Sequence, residues 1–215
     1  CRIRDSEIKI QKNQNPVHTL KKHLSISAIA LGFGAFGYCQ EKSAKPNLEI
    51  HPEGWAPLTT QIQADGKIWE VMIDTGSNRT AMNPASDFYE KFTFTKKGVM
   101  ISNDLHIDAE EGILKNIRFG GQDISNINVV AYEFPESKRI VGKEYAMILG
   151  MDILKQFKME LNFDDGLLKI GEFVPAEKGW EKIPVTIYEG RPYVECAIGE
   201  IEGTFLIDSG SNTEI

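Results

Sequence analysis

A short segment of the chain occurs twice, and this internal repeat limits the possible folds more than any other feature. The sequence Val-Met-Ile-Asp-Thr-Gly-Ser-Asn at residues 71–78 returns as Phe-Leu-Ile-Asp-Ser-Gly-Ser-Asn at residues 205–212. In both copies, apolar residues of high β-propensity lead directly into an Asp, a hydroxyl residue, a Gly and a Ser. Two copies of one strand-to-turn unit predict two homologous lobes related by a pseudo-twofold axis.

The rest of the chain has the pattern of an all-β protein, because short apolar runs alternate with turn residues. Two short helices are expected, one over residues 86–92 and one over 152–157 with Asp152 as its N-cap. The turns at Asp65-Gly66, Gly120-Gly121 and 164–166 can adopt the positive φ that tight hairpins need. The candidate strands are residues 58–64, 68–73, 113–119, 127–132, 147–149, 159–163, 167–170 and 193–198.

Charge and cysteine content exclude several functional classes. The formal net charge is −7, so the chain offers no basic footprint for nucleic acid. Cys1, Cys39 and Cys196 show no C-x-x-C spacing, which argues against a zinc ribbon or a disulfide scaffold. His51 and His106 have no further ligands at metal spacing. We therefore expect no metal, no cofactor and no nucleic-acid partner.

The N-terminal part of the chain has the features of an export signal. A basic stretch at 21–23 precedes an apolar run at 24–38, which is too short to span a bilayer and has small residues, Ala35 and Gly37, near its end. We interpret residues 17–44 as a signal peptide and residues 1–16 as upstream read-through or a disordered segment. The signal predicts a periplasmic or extracellular protein. Lipid attachment at Cys39 is an alternative that would anchor it to a membrane.

The repeated turn can bring two carboxyl groups together so that they act as an acid and a base. If the lobes face each other, Asp74 and Asp208 meet, and two like charges ~4 Å apart repel by about 4 kcal/mol at an effective dielectric of about 20. One proton is then shared by the pair. The ionised partner can take a proton from water while the protonated partner donates to a carbonyl oxygen. One such turn alone would be a weak indication, because Asx turns are common at strand ends.

The two turns and a further segment together resemble the retropepsin-like aspartic proteases, in the form in which two lobes are fused in one bacterial polypeptide. Ile148, Leu149 and Gly150, followed by a short helix, are similar to the second signature of that family. The resemblance implies a closed all-β acid-protease barrel, with one complete lobe at residues 48–172 and the first strands of a second lobe at 182–215. It also implies a chain truncated at both ends.

By this resemblance, Asp74 and Asp208 are the catalytic carboxylates of an aspartic endopeptidase that hydrolyses peptide bonds. Thr80, six residues after Asp74, also matches the family, and a hairpin within residues 96–108 would cover the substrate. In the family, the strand that carries the Gly of the second signature packs behind the catalytic turn. The residues implied to form the turns and their supporting hydrogen bonds are Thr75, Gly76, Ser77, Ser209, Gly210 and Ser211.

Two other functions stay open at this point. A homodimer could build the pair from two copies of Asp74, and a non-catalytic module could use the same groove to bind peptides or a partner protein. Ser77 and Ser211 lack the Gly-x-Ser-x-Gly context of a serine nucleophile. We expect a peptide or protein substrate, held extended between the lobes by main-chain hydrogen bonds. We also expect this chain alone to be inactive or to depend on pairing with another copy.

Overall fold

The structure, a computed structural model, describes residues 6–12, 26–32, 47–49, 58–102, 105–134, 145–162, 167–170, 180–198 and 200–211. Within these ranges the fold is built from strands, and helix is confined to two short elements. The strands are β1 (Ser6–Lys12), β2 (Ile26–Gly32), β3 (Asn47–Glu49), β4 (Thr59–Ala64), β5 (Lys67–Ile73), β6 (Ala81–Met82), β7 (Phe92–Ser102), β8 (Leu105–Phe119), β9 (Gln122–Ala131), β10 (Met147–Leu149), β11 (Met159–Asn162), β12 (Leu167–Ile170), β13 (Trp180–Tyr188), β14 (Arg191–Ile198) and β15 (Ile201–Leu206). The helices are a 3₁₀ helix (Asp87–Lys91) and α1 (Met151–Leu154).

Six strands of the first lobe close into a barrel. Their order is β4-β5-β10-β6-β9-β8, and β8 pairs back to β4 through Gln63 and Arg118. The β5–β10 and β6–β9 pairs are parallel, and the others are antiparallel. The interior is filled by fully buried apolar side chains, among them Ile62, Val71, Ile73, Leu114, Val129 and Leu149. The closed all-β barrel confirms the predicted fold class.

A second sheet connects the barrel lobe to the C-terminal strands. Its order is β15-β14-β13-β1-β2-β11-β12-β3. Strands β1 and β2 lie in the segments interpreted from sequence as read-through and export signal. Their pairing does not test whether these segments are removed, so the signal stays a prediction. Cys39 and the predicted end of the signal at residue 44 lie outside the described residues. No helix in the described ranges is long and apolar enough to cross a membrane.

Most predicted strands are confirmed. Strands β10 and β12 have the predicted bounds, and β4, β5, β11 and β14 overlap their predictions closely. The predicted strands at 113–119 and 127–132 correspond to the last parts of the longer β8 and β9. The turns at Asp65-Gly66 and Gly120-Gly121 have positive φ throughout, as expected, and the turn at 164–166 lies outside the described residues.

The helix predictions need one correction. The 3₁₀ helix begins as predicted after Ser86, whose hydroxyl accepts the Phe88 N–H at 3.2 Å. Helix α1 instead begins one residue before the predicted start, with Gly150 as its N-cap and no side-chain cap. Asp152 is not the N-cap residue, although its carboxylate accepts the Ile153 N–H of the first turn at 3.0 Å. The same carboxylate also accepts the N–H and the hydroxyl of Thr80 at 3.0 and 2.7 Å.

Candidate active site

The first Asp turn follows β5 and is held from behind by β10. The Asp74 N–H donates to the Leu149 carbonyl at 3.1 Å, and the Met151 N–H donates to the Ser77 carbonyl at 2.8 Å. A Cβ atom on Gly150 would lie 2.5 Å from the carbonyl group of Arg79, so only glycine fits there. The segment predicted as a second signature therefore packs against the turn.

The second Asp turn repeats the backbone arrangement of the first. The Ile73 N–H donates to the Leu58 carbonyl, and the Ile207 N–H donates to the Pro192 carbonyl, both at 2.9 Å. A turn amide also orients each carboxylate, although from different positions. Ser77 N–H donates to Asp74 Oδ1 at 2.9 Å, three residues on. Gly210 N–H donates to Asp208 Oδ1 at 2.8 Å, two residues on.

Reciprocal hydrogen bonds between Thr75 and Ser209 join the two turns. The Thr75 hydroxyl accepts the Ser209 N–H at 3.0 Å and donates to the Ile207 carbonyl at 2.6 Å. The Ser209 hydroxyl accepts the Thr75 N–H at 3.1 Å and donates to the Ile73 carbonyl at 2.8 Å. These four bonds follow the twofold pattern that the sequence repeat predicts, and they fix the two turns relative to each other.

The glycines of the turns allow each backbone to approach the opposite carboxyl group. A Cβ atom on Gly76 would lie 2.4 Å from Asp208 Cγ, and one on Gly210 would lie 2.5 Å from Asp74 Cγ. Any side chain at either position would push a carboxyl group out of place. The two carboxyl groups are themselves in hydrogen-bond contact.

The two carboxyl groups have different surroundings. Asp74 is half-buried, and its burial is the main cause that raises its pKa to about 7. The charge of Asp208 and its hydrogen bond to Asp74 raise the pKa further, while the Ser77 and Gly76 amides lower it. Asp208 is exposed. At mildly acidic pH the folded state therefore favours the protonated form of Asp74.

An apolar wall beside Asp74 accounts for this burial. Phe134 packs edge-on against Tyr132 at a centroid distance of 4.9 Å and lies 5.5 Å from Tyr145. Burial raises the pKa of each tyrosine to about 12, and the charge of Asp74 contributes to both shifts. The wall consists of Met72, Ala81, Tyr132, Phe134, Tyr145 and Ile148. The sequence analysis did not single out the aromatic residues of this wall. Phe134 and Tyr145 lie on either side of residues 135–144 in the sequence, and Tyr145 comes shortly before the second signature.

The structure thus brings most of the predicted site residues together at the lobe boundary. Ser211 is exposed just after the second turn, Ile148 belongs to the apolar wall, and Leu149 lies in the barrel core. The predicted covering segment, 96–108, lies in the far half of the β7–β8 hairpin. In the part of the chain that the structure describes, no three His, Cys, Asp or Glu side chains are grouped to hold a metal.

Fold and site together define a closed all-β barrel in which two Asp-hydroxyl-Gly-Ser turns meet at a lobe boundary. Among solved structures, the chain is similar to a retropepsin-like aspartic protease from Rickettsia conorii, with 18% sequence identity, 59% of this chain and 89% of that chain covered, and a TM-score of 0.39. No protein-family model and no curated protein matches the sequence.

Proposed function

We propose that this protein is an aspartic endopeptidase in which Asp74 and Asp208 together activate a water molecule against a peptide bond. The observation that supports the proposal is the contact between the two carboxyl groups, with the pKa of Asp74 raised to about 7. A contacting pair that holds one proton supplies an acid and a base at the same point.

The protonation pattern suggests a role for each carboxyl group. The ionised Asp208 accepts a proton from water as the water oxygen attacks the carbonyl carbon of the substrate. Asp74 donates its proton to the carbonyl oxygen, which gives a neutral tetrahedral diol. Asp208 then transfers its proton to the amide nitrogen while Asp74 takes one back from a diol hydroxyl. The C–N bond breaks, and the pair returns to its starting state.

The surroundings of the pair suit an extended peptide. The apolar wall beside Asp74 is buried apart from the half-buried Tyr132, so it shields the carboxyl group on that side. The β7–β8 hairpin offers a strand whose backbone can pair with an extended chain. The proposed substrate class is therefore a peptide or an extended protein segment.

The two rival functions differ from this one in testable ways. In a homodimeric enzyme two copies of Asp74 would form the pair and Asp208 would be dispensable. The contact between Asp74 and Asp208 within one chain favours the intramolecular pair. A non-catalytic binding module would hold peptides without cleaving them.

The test is cleavage of a peptide library by the wild-type chain, by Asp74→Asn and by Asp208→Asn. Asp123→Asn is the matched control, because Asp123 is exposed and pairs with Arg118 away from the turns. We expect each turn variant to lose activity by about 10²- to 10⁴-fold and the control to keep it. Activity that survives Asp208→Asn but not Asp74→Asn would favour the homodimer, and peptide binding without cleavage would favour the binding module.

The same assay tests the expected dependence on a second copy. Activity proportional to the protein concentration would indicate that one chain suffices. Activity that rises with the square of the concentration would indicate that two copies must pair. Absence of cleavage at every concentration would agree with the expected inactivity of the isolated chain, and the raised pKa of Asp74 would then be the test of the carboxyl pair.

A further inference from the structure

The base of the β7–β8 hairpin is tied to the Asp74 turn by charged side chains. Glu111 on β8 pairs with Arg79 Nη1 at 3.4 Å through one carboxylate oxygen and with Lys96 Nζ on β7 at 3.2 Å through the other. The hydrogen bond to Lys96 and the charges of Lys96 and Arg79 hold the pKa of Glu111 below its usual value. One carboxylate therefore links both strands of the hairpin to the segment that follows the turn.

The Arg79 backbone is in turn connected to the Asp74 carboxylate. The Ser77 hydroxyl donates to the Arg79 carbonyl at 2.8 Å, and the Ser77 N–H donates to Asp74 Oδ1 at 2.9 Å. Ser77 is thus the single residue between Arg79 and the carboxylate in this path. Glu111 is therefore connected to the Asp74 turn through Arg79 and Ser77.

The hairpin also has the local geometry of a hinge at this position. The pairing register of β7 shifts between Phe94 and Lys96, opposite Glu111, and such a bulge bends and twists a strand. The Thr95 hydroxyl donates to the Glu111 carbonyl at 2.8 Å within the bulge. The preceding residue, Glu110, accepts a hydrogen bond from the Tyr89 hydroxyl of the 3₁₀ helix.

Beyond the bulge, apolar side chains of the hairpin are exposed. Val99 and Ile101 on β7 are 53% and 63% exposed, although both are apolar. The far half of a hairpin that is anchored only at its base can move as a unit about the bulge.

We propose that Glu111 is a positioning residue whose ion pair with Arg79 sets the angle of the β7–β8 hairpin relative to Asp74. For its effect on substrate, this inference rests on the proposed function, because the hairpin then sets how closely a bound peptide is covered. The anchoring itself is a property of the fold and can be measured without activity.

The direct test is hydrogen exchange of the whole chain in the Glu111→Gln, Arg79→Gln and doubly substituted proteins. Arg118→Gln is the control, because Arg118 lies on the same strand and pairs with Asp123 at 3.6 Å away from the Asp74 turn. We expect amides at 96–102 and 105–109 to exchange roughly two- to five-fold faster in both single variants. The double variant should exchange no faster than Glu111→Gln alone, because that substitution already removes the pair with Arg79. The control should match the wild type.

Kinetics on a cleaved peptide give the second readout. Glu111→Gln should raise KM with little change in kcat and leave the pH profile of the carboxyl pair in place, which a general loss of structure would not do. Unchanged exchange at 96–109 in both single variants, or an equal increase in Arg118→Gln, would overturn the inference. Faster exchange in a chain that cleaves no peptide would support the anchoring role of Glu111 without supporting the proposed function.

Discussion

Thr75 and Ser209 each accept the other's backbone N–H and each donate to the carbonyl of the residue that precedes the opposite Asp. All four bonds run between the two turns. The hydroxyl groups of Thr75 and Ser209 therefore set the separation of the two carboxyl groups, and the carboxyl groups themselves do not. Like charges can then be held in contact without moving apart. The stability of the lobe contact and the protonation of the pair are therefore coupled.

Thr75→Ala should weaken this contact measurably. Thr75 is buried, so its removal leaves the Ser209 N–H and the Ile207 carbonyl without their partner. We expect the free energy of unfolding to fall by about 2–3 kcal/mol, while Thr75→Ser, which keeps the hydroxyl, should cost under about 1 kcal/mol. Urea unfolding of the two variants measures the difference. Equal stability of the two would show that the hydroxyl bonds contribute little.

Gly76→Ala should disrupt the carboxyl pair more than the fold. The atoms that a Cβ would meet all belong to the Asp208 side chain, which can swing aside. We expect loss of peptidase activity with a stability cost of about 1–2 kcal/mol, the scale of moderate overpacking. Gly203→Ala is the control, because its nearest neighbour is Phe205 at an ordinary 3.5 Å. An active Gly76→Ala enzyme would contradict the close approach of turn and carboxyl group.

Ionisation of Asp74 should make the fold less stable at alkaline pH. Its pKa is raised from 3.8 to about 7, so folding favours the protonated form. This contribution is fully present below about pH 4 and is lost as the pH rises through 7. Between pH 4 and 8 the free energy of unfolding should fall by up to about 4 kcal/mol.

Asp74→Asn is the matched variant for that pH dependence, because an amide does not titrate. Denaturant unfolding at pH 4.5 and pH 8 should show a smaller decrease for Asp74→Asn than for the wild type. Parallel pH profiles for the two proteins would mean that another group causes the decrease.

Asp152→Ala should destabilise the support behind the first turn. Thr80 is fully buried, and Asp152 accepts both its N–H and its hydroxyl. Thr80 in turn accepts the Gly150 N–H at 3.2 Å. We expect a loss of about 2–3 kcal/mol by thermal or urea unfolding. Gln156→Ala, which removes only an exposed bond to the Asp152 carbonyl, should change the stability by less than about 0.5 kcal/mol.

The Asp turns and the short buried strands could be predicted because their signals are local. Strand β10 is buried throughout and was recognised as an apolar run, and the repeat itself marked Asp74 and Asp208. Only part of the role of Asp152 could be found in this way. Capping rules consider neighbouring amides such as the Ile153 N–H, whereas its other partner, Thr80, lies 72 residues away in sequence.

The residue pattern did not predict strand β7 and the first half of β8, and only the family resemblance placed a hairpin at 96–108. The segments Thr-Lys-Lys-Gly and Asp-Ala-Glu-Glu at 95–98 and 108–111 are rich in charge and show no apolar alternation. They form strands because each pairs with the other across a long hairpin, not because one face is buried. The aromatic wall was missed because its rings meet only after β9 and β10 pack beside Asp74.

Titration of the Asp74 carboxyl carbon by NMR tests the central claim most directly. Asp74 should titrate near pH 7, and Asp208→Asn should shift that step to lower pH because the charge of Asp208 and its hydrogen bond to Asp74 both raise the pKa of Asp74. A step near the ordinary value of 3.8 that Asp208→Asn leaves unchanged would contradict the shared proton and the mechanism built on it.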